Sequence, residues 1–317
     1  MDLSEAELGR ERSRQMLRTA LGPLLLARLE DPGVAEVMLN PDGRVWIDRF
    51  DAGLVDAGLS VSAEDAERIL RLVAHHVAAE IHAGQPRLSA ELPGTGERFE
   101  GLMPPLAVAP TFSIRKPASL VFRLDDYVLS GVMSDRQGEI LAQAVRERAN
   151  ILVAGPTSSG KTTLVNALLA EIAMGGDRVI LLEDLRELRC SAINQVALRT
   201  REGVVSLTDL VRSALRLRPD RIIIGEVRGP EALDLIKAWG TGHPGGVGTL
   251  HAGSALGALL RLEQLIQEAV VTVPRGLIAE TIDVIAVLAG RGRQRRLTEL
   301  VRLEGQAPDG AYQLSPV

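Results

Sequence analysis

Eight consecutive residues, Gly155-Pro156-Thr157-Ser158-Ser159-Gly160-Lys161-Thr162, satisfy every fixed position of the phosphate-loop pattern G-x-x-x-x-G-K-[ST]. The chemistry this spacing supports is capture of a nucleoside triphosphate. Glycines let the backbone N–H groups turn inward around a phosphate, and a helix that starts at the loop adds partial positive charge at the same point. Lys161 would reach the β- and γ-phosphates of ATP, and the Thr162 hydroxyl would ligate Mg²⁺. Three further groups have types suited to the same reaction. Arg221-Ile222-Ile223-Ile224-Gly225-Glu226 is an apolar run ending in a carboxylate, and an acid there can hold the Mg²⁺ shell or a water. Val179-Ile180-Leu181-Leu182 runs into Glu183, Asp184 and Glu187, acids able to orient water, take its proton or pair with arginine. A glycine-rich stretch from Gly240 ends at His251, whose neutral imidazole N–H can report the terminal phosphate. His243, earlier in that stretch, leaves a structural or metal role open, although no carboxylate or thiol stands beside the pair at ligand spacing.

Positioning these groups needs strands that end together. Ile151-Leu152-Val153-Ala154 reads as a buried strand before the loop, and Thr163 to Ala173 as a helix after it, with Leu164, Leu168, Leu169 and Ile172 on one face. Around them the pattern predicts helix 134–148, strand 178–182, helix 207–217, strand 221–225, helix 230–239 and strand 247–250. Ser206 with Asp209 makes a capping-box start for one helix, and Pro230 sits in the first turn of another. Such alternation implies a mostly parallel sheet with helices on both faces. The acids and His251 then fall at its carboxyl edge, where ligands bind in open α/β sheets. The expected fold class is therefore α/β, with a phosphate-loop domain over 131–317.

Residues 1–117 read differently, as a smaller α+β domain. A helix over 4–30 carries Leu8, Met16, Leu17, Ala20, Leu24 and Leu25 at helical spacing, with a break at Gly22-Pro23. A hairpin pairs 36–39 with 45–48 around Asn40-Pro41-Asp42-Gly43-Arg44. A second helix, 63–81, extends to place His75, His76 and His82 on a surface face, and short strands follow at 88–92, 98–103 and 109–115. Residues 118–130 are expected to connect the two domains.

Composition narrows the function classes. The 317 residues carry a net charge of −5 and only 3% aromatic side chains. A wide nucleic-acid face needs clustered cations, and a single-strand platform needs aromatic rings, so direct sequence-specific nucleic-acid binding is not expected. Cys190 is the single cysteine, which excludes a disulfide framework or thiolate metal site. No run reaches the roughly 18 apolar residues of a membrane span, and the acidic start Met1-Asp2-Leu3-Ser4-Glu5 lacks the shape of a signal peptide. A cytoplasmic protein is expected. Arg291-Gly292-Arg293-Gln294-Arg295-Arg296, between the strand-like runs 284–288 and 297–301, reads as a charged hairpin tip. Such a tip can also touch anionic headgroups, at ~1 kcal/mol per arginine, giving peripheral membrane association.

In combination and in this order, the phosphate loop, the acidic box 183–187, the strand ending in Gly225-Glu226 and the histidine box 240–251 resemble the secretion ATPase superfamily of type II and type IV secretion motors. Ser89-Ala90-Glu91-Leu92-Pro93, Arg98-Phe99-Glu100-Gly101-Leu102, Pro110-Thr111-Phe112-Ser113-Ile114-Arg115-Lys116, Leu217-Arg218-Pro219-Asp220-Arg221 and the stretch from Gly225 to Trp239 look like its conjugal-transfer TrbB type. The resemblance spans roughly 34–303. It implies a hexameric ring of two-domain subunits with a RecA-like C-terminal domain, docked on inner-membrane secretion-channel proteins at the cytoplasmic face. It implies binding of ATP with Mg²⁺ by the loop from Gly155 through Thr163, and metal ligation by Thr162 and Glu226. Lys161, Glu226 and His251 match the motif positions, Glu187 matches the proposed base, and Arg115 is expected to complete the site. Two departures stand out: Leu185-Arg186 follow Asp184 where the family has Asp-Thr or Asp-Pro, and Gly253-Ser254 replace the usual Asn. A pilus-assembly ATPase of the tight-adherence kind, or a nucleotide-gated switch with little hydrolysis, would show the same loop.

Overall fold

The computed structural model describes residues 5–93, 96–116, 122–201 and 203–317, and the chain divides into two compact units, 1–119 and 120–317.

The first unit runs α1 (Glu5–Glu30), β1 (Val34–Leu39), β2 (Arg44–Arg49), β3 (Gly53–Ser60), α2 (Ala63–His76), β4 (Arg87–Glu91), β5 (Arg98–Leu102) and β6 (Thr111–Arg115). Its strands form one antiparallel sheet in the order β3-β2-β1-β6-β5-β4. β1 and β2 are the expected hairpin. β3 was not expected: Gly53, Asp56 and Gly58 dilute its strand signal, and at the sheet edge its residues only alternate half-buried with exposed. α1 is kinked at Gly22, φ 71°. The kink changes which residues face inward: Leu17, Leu21, Leu25 and Leu29 are buried, whereas Met16 and Leu24 are exposed. α2 starts on the Ser62 hydroxyl, which accepts the Asp65 N–H at 3.1 Å. It stops at His76, short of the expected end, because the backbone reverses at Ala78, φ 54°. His82 consequently lies off the helix, in a bridge with Gln85.

The second unit runs α3 (Leu124–Leu129), α4 (Asp135–Arg146), β7 (Ile151–Ala154), α5 (Lys161–Ile172), β8 (Val179–Glu183), β9 (Gln195–Arg199), α6 (Leu207–Ala214), β10 (Arg221–Ile224), α7 (Glu231–Gly240), β11 (Val247–Leu250), α8 (Ala255–Gln267), α9 (Arg275–Thr281), β12 (Val284–Ala289), β13 (Arg296–Gln306) and β14 (Tyr312–Pro316). The eight strands lie in the order β14-β13-β12-β7-β11-β10-β8-β9. Pairing is parallel from β9 through β12 and antiparallel from β12 to β14. The parallel core is as expected. β9, α8 and α9 are additions to that expectation, β9 being an edge strand that alternates exposed with half-buried residues. Of the expected connection 118–130, residues 118–121 lie outside the described residues, and the remainder holds a short helix, α3. Its Leu124 and Tyr127 are buried in the same core as Leu141, Leu164 and Leu168; a six-residue helix is too short to show helical periodicity.

A core lies on each face of this sheet. One joins α3, α4 and α5 to the strands; the other joins α6, α7, α8 and α9. Trp239 of α7 anchors the second core. Its indole N–H donates to the Ile222 carbonyl of β10 at 3.0 Å. The ring lies so close to β11 that a methyl group on Gly246 would come within 2.1 Å of it. Gly246→Ala should therefore overpack the α7–β11 contact and cost about 2–3 kcal/mol, read as a lower denaturant midpoint with an unchanged slope. Wild-type stability in this variant would contradict the packing described.

Candidate nucleotide site

Because β7, β8, β10, β11 and β12 run parallel, their carboxyl ends share one edge. The phosphate loop leaves β7 at that edge and enters α5, which begins at Lys161. Gly160 caps the helix at φ 94°, ψ 22°, a left-handed conformation natural to glycine. Lys161 is buried, and its ammonium donates to the loop carbonyls of Gly155 at 2.9 Å and Pro156 at 3.1 Å. Nδ1 of His251, just past β11, lies 3.4 Å from the same nitrogen. An ammonium only donates, so Nδ1 must be the acceptor and Nε2 carries the ring proton. Nε2 in turn lies 3.1 Å from Glu226 Oε1. The result is a directed chain from Lys161 through His251 to Glu226.

A second chain starts one residue on. The Thr162 hydroxyl lies 3.3 Å from Glu187 Oε2. Glu187 is held there by two neighbours. Asn166 of α5 donates to the Glu187 carbonyl at 3.1 Å and accepts the Arg189 N–H at 2.8 Å. Glu183, at the end of β8, accepts the N–H groups of Glu187 and Leu188 at 2.8 and 2.7 Å. Burial pushes the Glu183 carboxyl above the usual range, while these two N–H bonds pull it back. With Oε1 spent on bracing the turn, Glu183 is a support for Glu187. Leu185-Arg186 thus do not carry Glu187 away from the loop.

Asp184 faces the other way, accepting from Thr200 at 2.8 Å and pairing with Arg228. Arg228 also lies 3.9 Å from Glu226, and its backbone N–H, with that of Gly229, is held by Glu231 at the start of α7 at 2.7 and 2.9 Å. One arginine therefore links the acidic turn after β8 to the acid after β10.

The two histidines are separated by β11. His251 is at the carboxyl edge; His243 precedes the strand and contacts the Pro219 carbonyl, ahead of β10, at 3.0 Å. Among the described residues no group of three or more His, Cys, Asp or Glu could hold a metal ion. The oxygens at hand fit Mg²⁺ bound jointly with phosphate, the usual habit of that ion. The loop also fits a phosphate: the Ser159 hydroxyl is buried without a partner among the described residues, and Pro156 and Thr157 are exposed beside the half-buried Ser158, Thr162 and Thr163. Ser254, one of the replacements after His251, caps α8 by accepting the Gly257 N–H at 3.0 Å. Arg115 ends β6 in the first unit.

Sequence reasoning missed Asn166, Thr200 and Arg228. Asn166 had a usable signal, since it stands four residues after Thr162 and thus on the same face of α5. Thr200 had none, because β9 itself was not recognised.

Residues 26–297 match the family described as Type II/IV secretion system protein. The Probable conjugal transfer protein TrbB of Sinorhizobium fredii is 45% identical over 300 residues, covering 94% of this chain and 91% of that protein. The Conjugal transfer protein TrbB of Rhizobium radiobacter is 47% identical over 291 residues, covering 91% and 90%. Among solved structures, the pilus retraction motor PilT with bound ADP is similar in fold, with a TM-score of 0.61 and 21% identity over 93% of this chain and 83% of that one. With a family match over most of its length and close relatives covered nearly end to end, the chain belongs to the type II/IV secretion ATPase family.

Proposed function

We propose that the chain is the ATP-hydrolysing motor of a conjugative type IV secretion system, working as a ring of six copies against channel proteins at the cytoplasmic face of the inner membrane. The observation that carries the catalytic part is the pair of chains converging on the phosphate loop, Lys161–His251–Glu226 and Thr162–Glu187. The two TrbB relatives, named for conjugal transfer, support the assignment of the system. No helix among the described residues is long and apolar enough to cross a membrane, so attachment falls to partner proteins or to the arginine tip.

In this reading Lys161 and the loop amides from Gly155 to Thr163 bind the phosphates and stabilise charge as the terminal phosphoryl group transfers. Thr162 and Glu226 would hold Mg²⁺, which supplies further charge neutralisation on the phosphate oxygens. Glu187 positions the attacking water and takes its proton. His251, holding Nδ1 toward Lys161 and its Nε2 proton toward Glu226, senses whether Lys161 is engaged by phosphate.

Lys161→Ala should lower turnover at least about a hundredfold with the melting temperature within a few degrees of wild type, since its ammonium bonds to the Gly155 and Pro156 carbonyls and toward His251 hold the loop and not the hydrophobic core. Phosphate release and circular dichroism read the two quantities; turnover near wild type would sink the phosphate-loop assignment.

Glu187→Gln and Glu226→Gln should each slow turnover by about a hundredfold or more while nucleotide KM changes little. They should differ in metal titration: Glu226→Gln requires more Mg²⁺ for half-maximal rate, and Glu187→Gln does not. Identical Mg²⁺ curves would remove Glu226 from the metal shell.

Glu183→Ala should do something else, losing about 2–3 kcal/mol of stability along with activity, because it strands two N–H groups of the acidic turn. If Glu183→Ala is as stable as wild type, the bracing role fails.

A further inference from the structure

The arginine-rich run at the β12–β13 tip is not uniform. Arg291, Arg293 and Arg296 are exposed, and Arg296 Nη1 donates to the carbonyls of Arg293 and Arg295 at 2.9 and 2.6 Å. Arg295 alone folds back. A methyl group on Gly160 would lie 2.9 Å from Arg295 Nε and 3.0 Å from its Cζ, so the guanidinium rests against the last glycine of the phosphate loop. The Leu297 N–H, bonded to the Val132 carbonyl at 2.8 Å, pins the strand that follows. Arg295 Nε is buried and has no acceptor among the described residues. The Tyr127 hydroxyl, whose proton is held more tightly through burial while Arg295 loosens it, is also buried without a partner. A guanidinium donor taken from water without an acceptor is costly, and such a donor beside an anion-binding loop is explained by an anion that is its partner.

The sheet order says which part of the anion. β7 is flanked by β11 on one side and β12 on the other. His251, Glu226 and Glu187 follow β11, β10 and β8, so the acids and the histidine assigned to the terminal phosphate all lie on the β11 side of the loop. Arg295 comes from the β12 side. A polyphosphate seated in the loop with its reacting end toward β11 must turn its nucleoside end toward β12.

We propose that Arg295 is a nucleotide-binding residue that donates to the α-phosphate of the bound nucleotide. The assignment rests on the ATPase reading above. It separates Arg295 from the other arginines of the tip, which stay available to solvent or to a membrane surface.

The test is equilibrium binding of MgADP and MgATP, by calorimetry, to the wild-type protein, Arg295→Gln and Arg295→Lys, with steady-state hydrolysis and melting temperature in parallel. Arg295→Gln should bind both nucleotides about tenfold more weakly and to the same extent, because the α-phosphate is common to them. Its turnover at saturating ATP should stay within about threefold of wild type, and its nucleotide-free melting temperature should be unchanged. Arg295→Lys should recover most of the affinity. Unchanged ADP affinity in Arg295→Gln, or weakened ATP binding with ADP binding intact, overturns the assignment. So does a loss of affinity that comes with a lower nucleotide-free melting temperature and that Arg295→Lys shares. A wild-type protein that binds neither nucleotide overturns instead the ATPase reading, which keeps the two failures distinct.

Discussion

Parallel pairing of β7 with β11 and β12, and of β10 with β8 and β11, is the constraint on which the rest of the second unit depends. Parallel strands deliver every carboxyl end to one edge, and each strand there contributes a group: the phosphate loop, Glu187, Glu226, His251 and Arg295. None of these is near its partners in sequence. The hydrophobic packing beneath keeps the strands in register. Ile151 to Ala154, Ile222 to Ile224 and Val284 to Leu288 are buried on both faces, and a slip of one residue would turn the following loops away from one another.

Charge is the second organising factor at that edge. Buried or half-buried ions persist most readily when paired or hydrogen-bonded, and from Lys161 to Asp184 the pairing is continuous. Lys161 rests on loop carbonyls, His251 bridges it to Glu226, and Arg228 ties Glu226 to Asp184. Glu183 and Asn166 hold the turn that carries Glu187. A triphosphate arriving in the loop offers Lys161 stronger acceptors than carbonyl oxygens. In the function proposed above, an exchange of partners by Lys161 would pass to His251 and, one bond further, to Glu226, along the contacts Lys161–His251 and His251–Glu226.

Much of this was legible in the sequence. The phosphate-loop spacing, the alternation of apolar runs with amphipathic helices and the acids at run ends determined an α/β fold with a phosphate site at a sheet edge, and located Lys161, Thr162, Glu226 and His251. Those signals are local: they depend on spacing along a strand, a helix or a turn. The edge strands β3 and β9 were not legible, because a strand buried on neither face lacks both a continuous apolar run and a clean alternation. Neither was the length of α2, which a single left-handed residue ended.

Tertiary structure alone decided which polar groups meet. By residue type the acidic box left Glu183, Asp184 and Glu187 open, and only the family resemblance favoured Glu187; the fold buries Glu183 against two N–H groups and sets Glu187 beside Thr162. Four arginines at the hairpin tip looked alike until the sheet order placed β12 next to β7 and turned Arg295 onto Gly160. Spacing along the chain determines which residues share an element, whereas a hydrogen bond or an ion pair depends on distances across elements, and those are set by the order of strands in the sheet and the packing that holds them there.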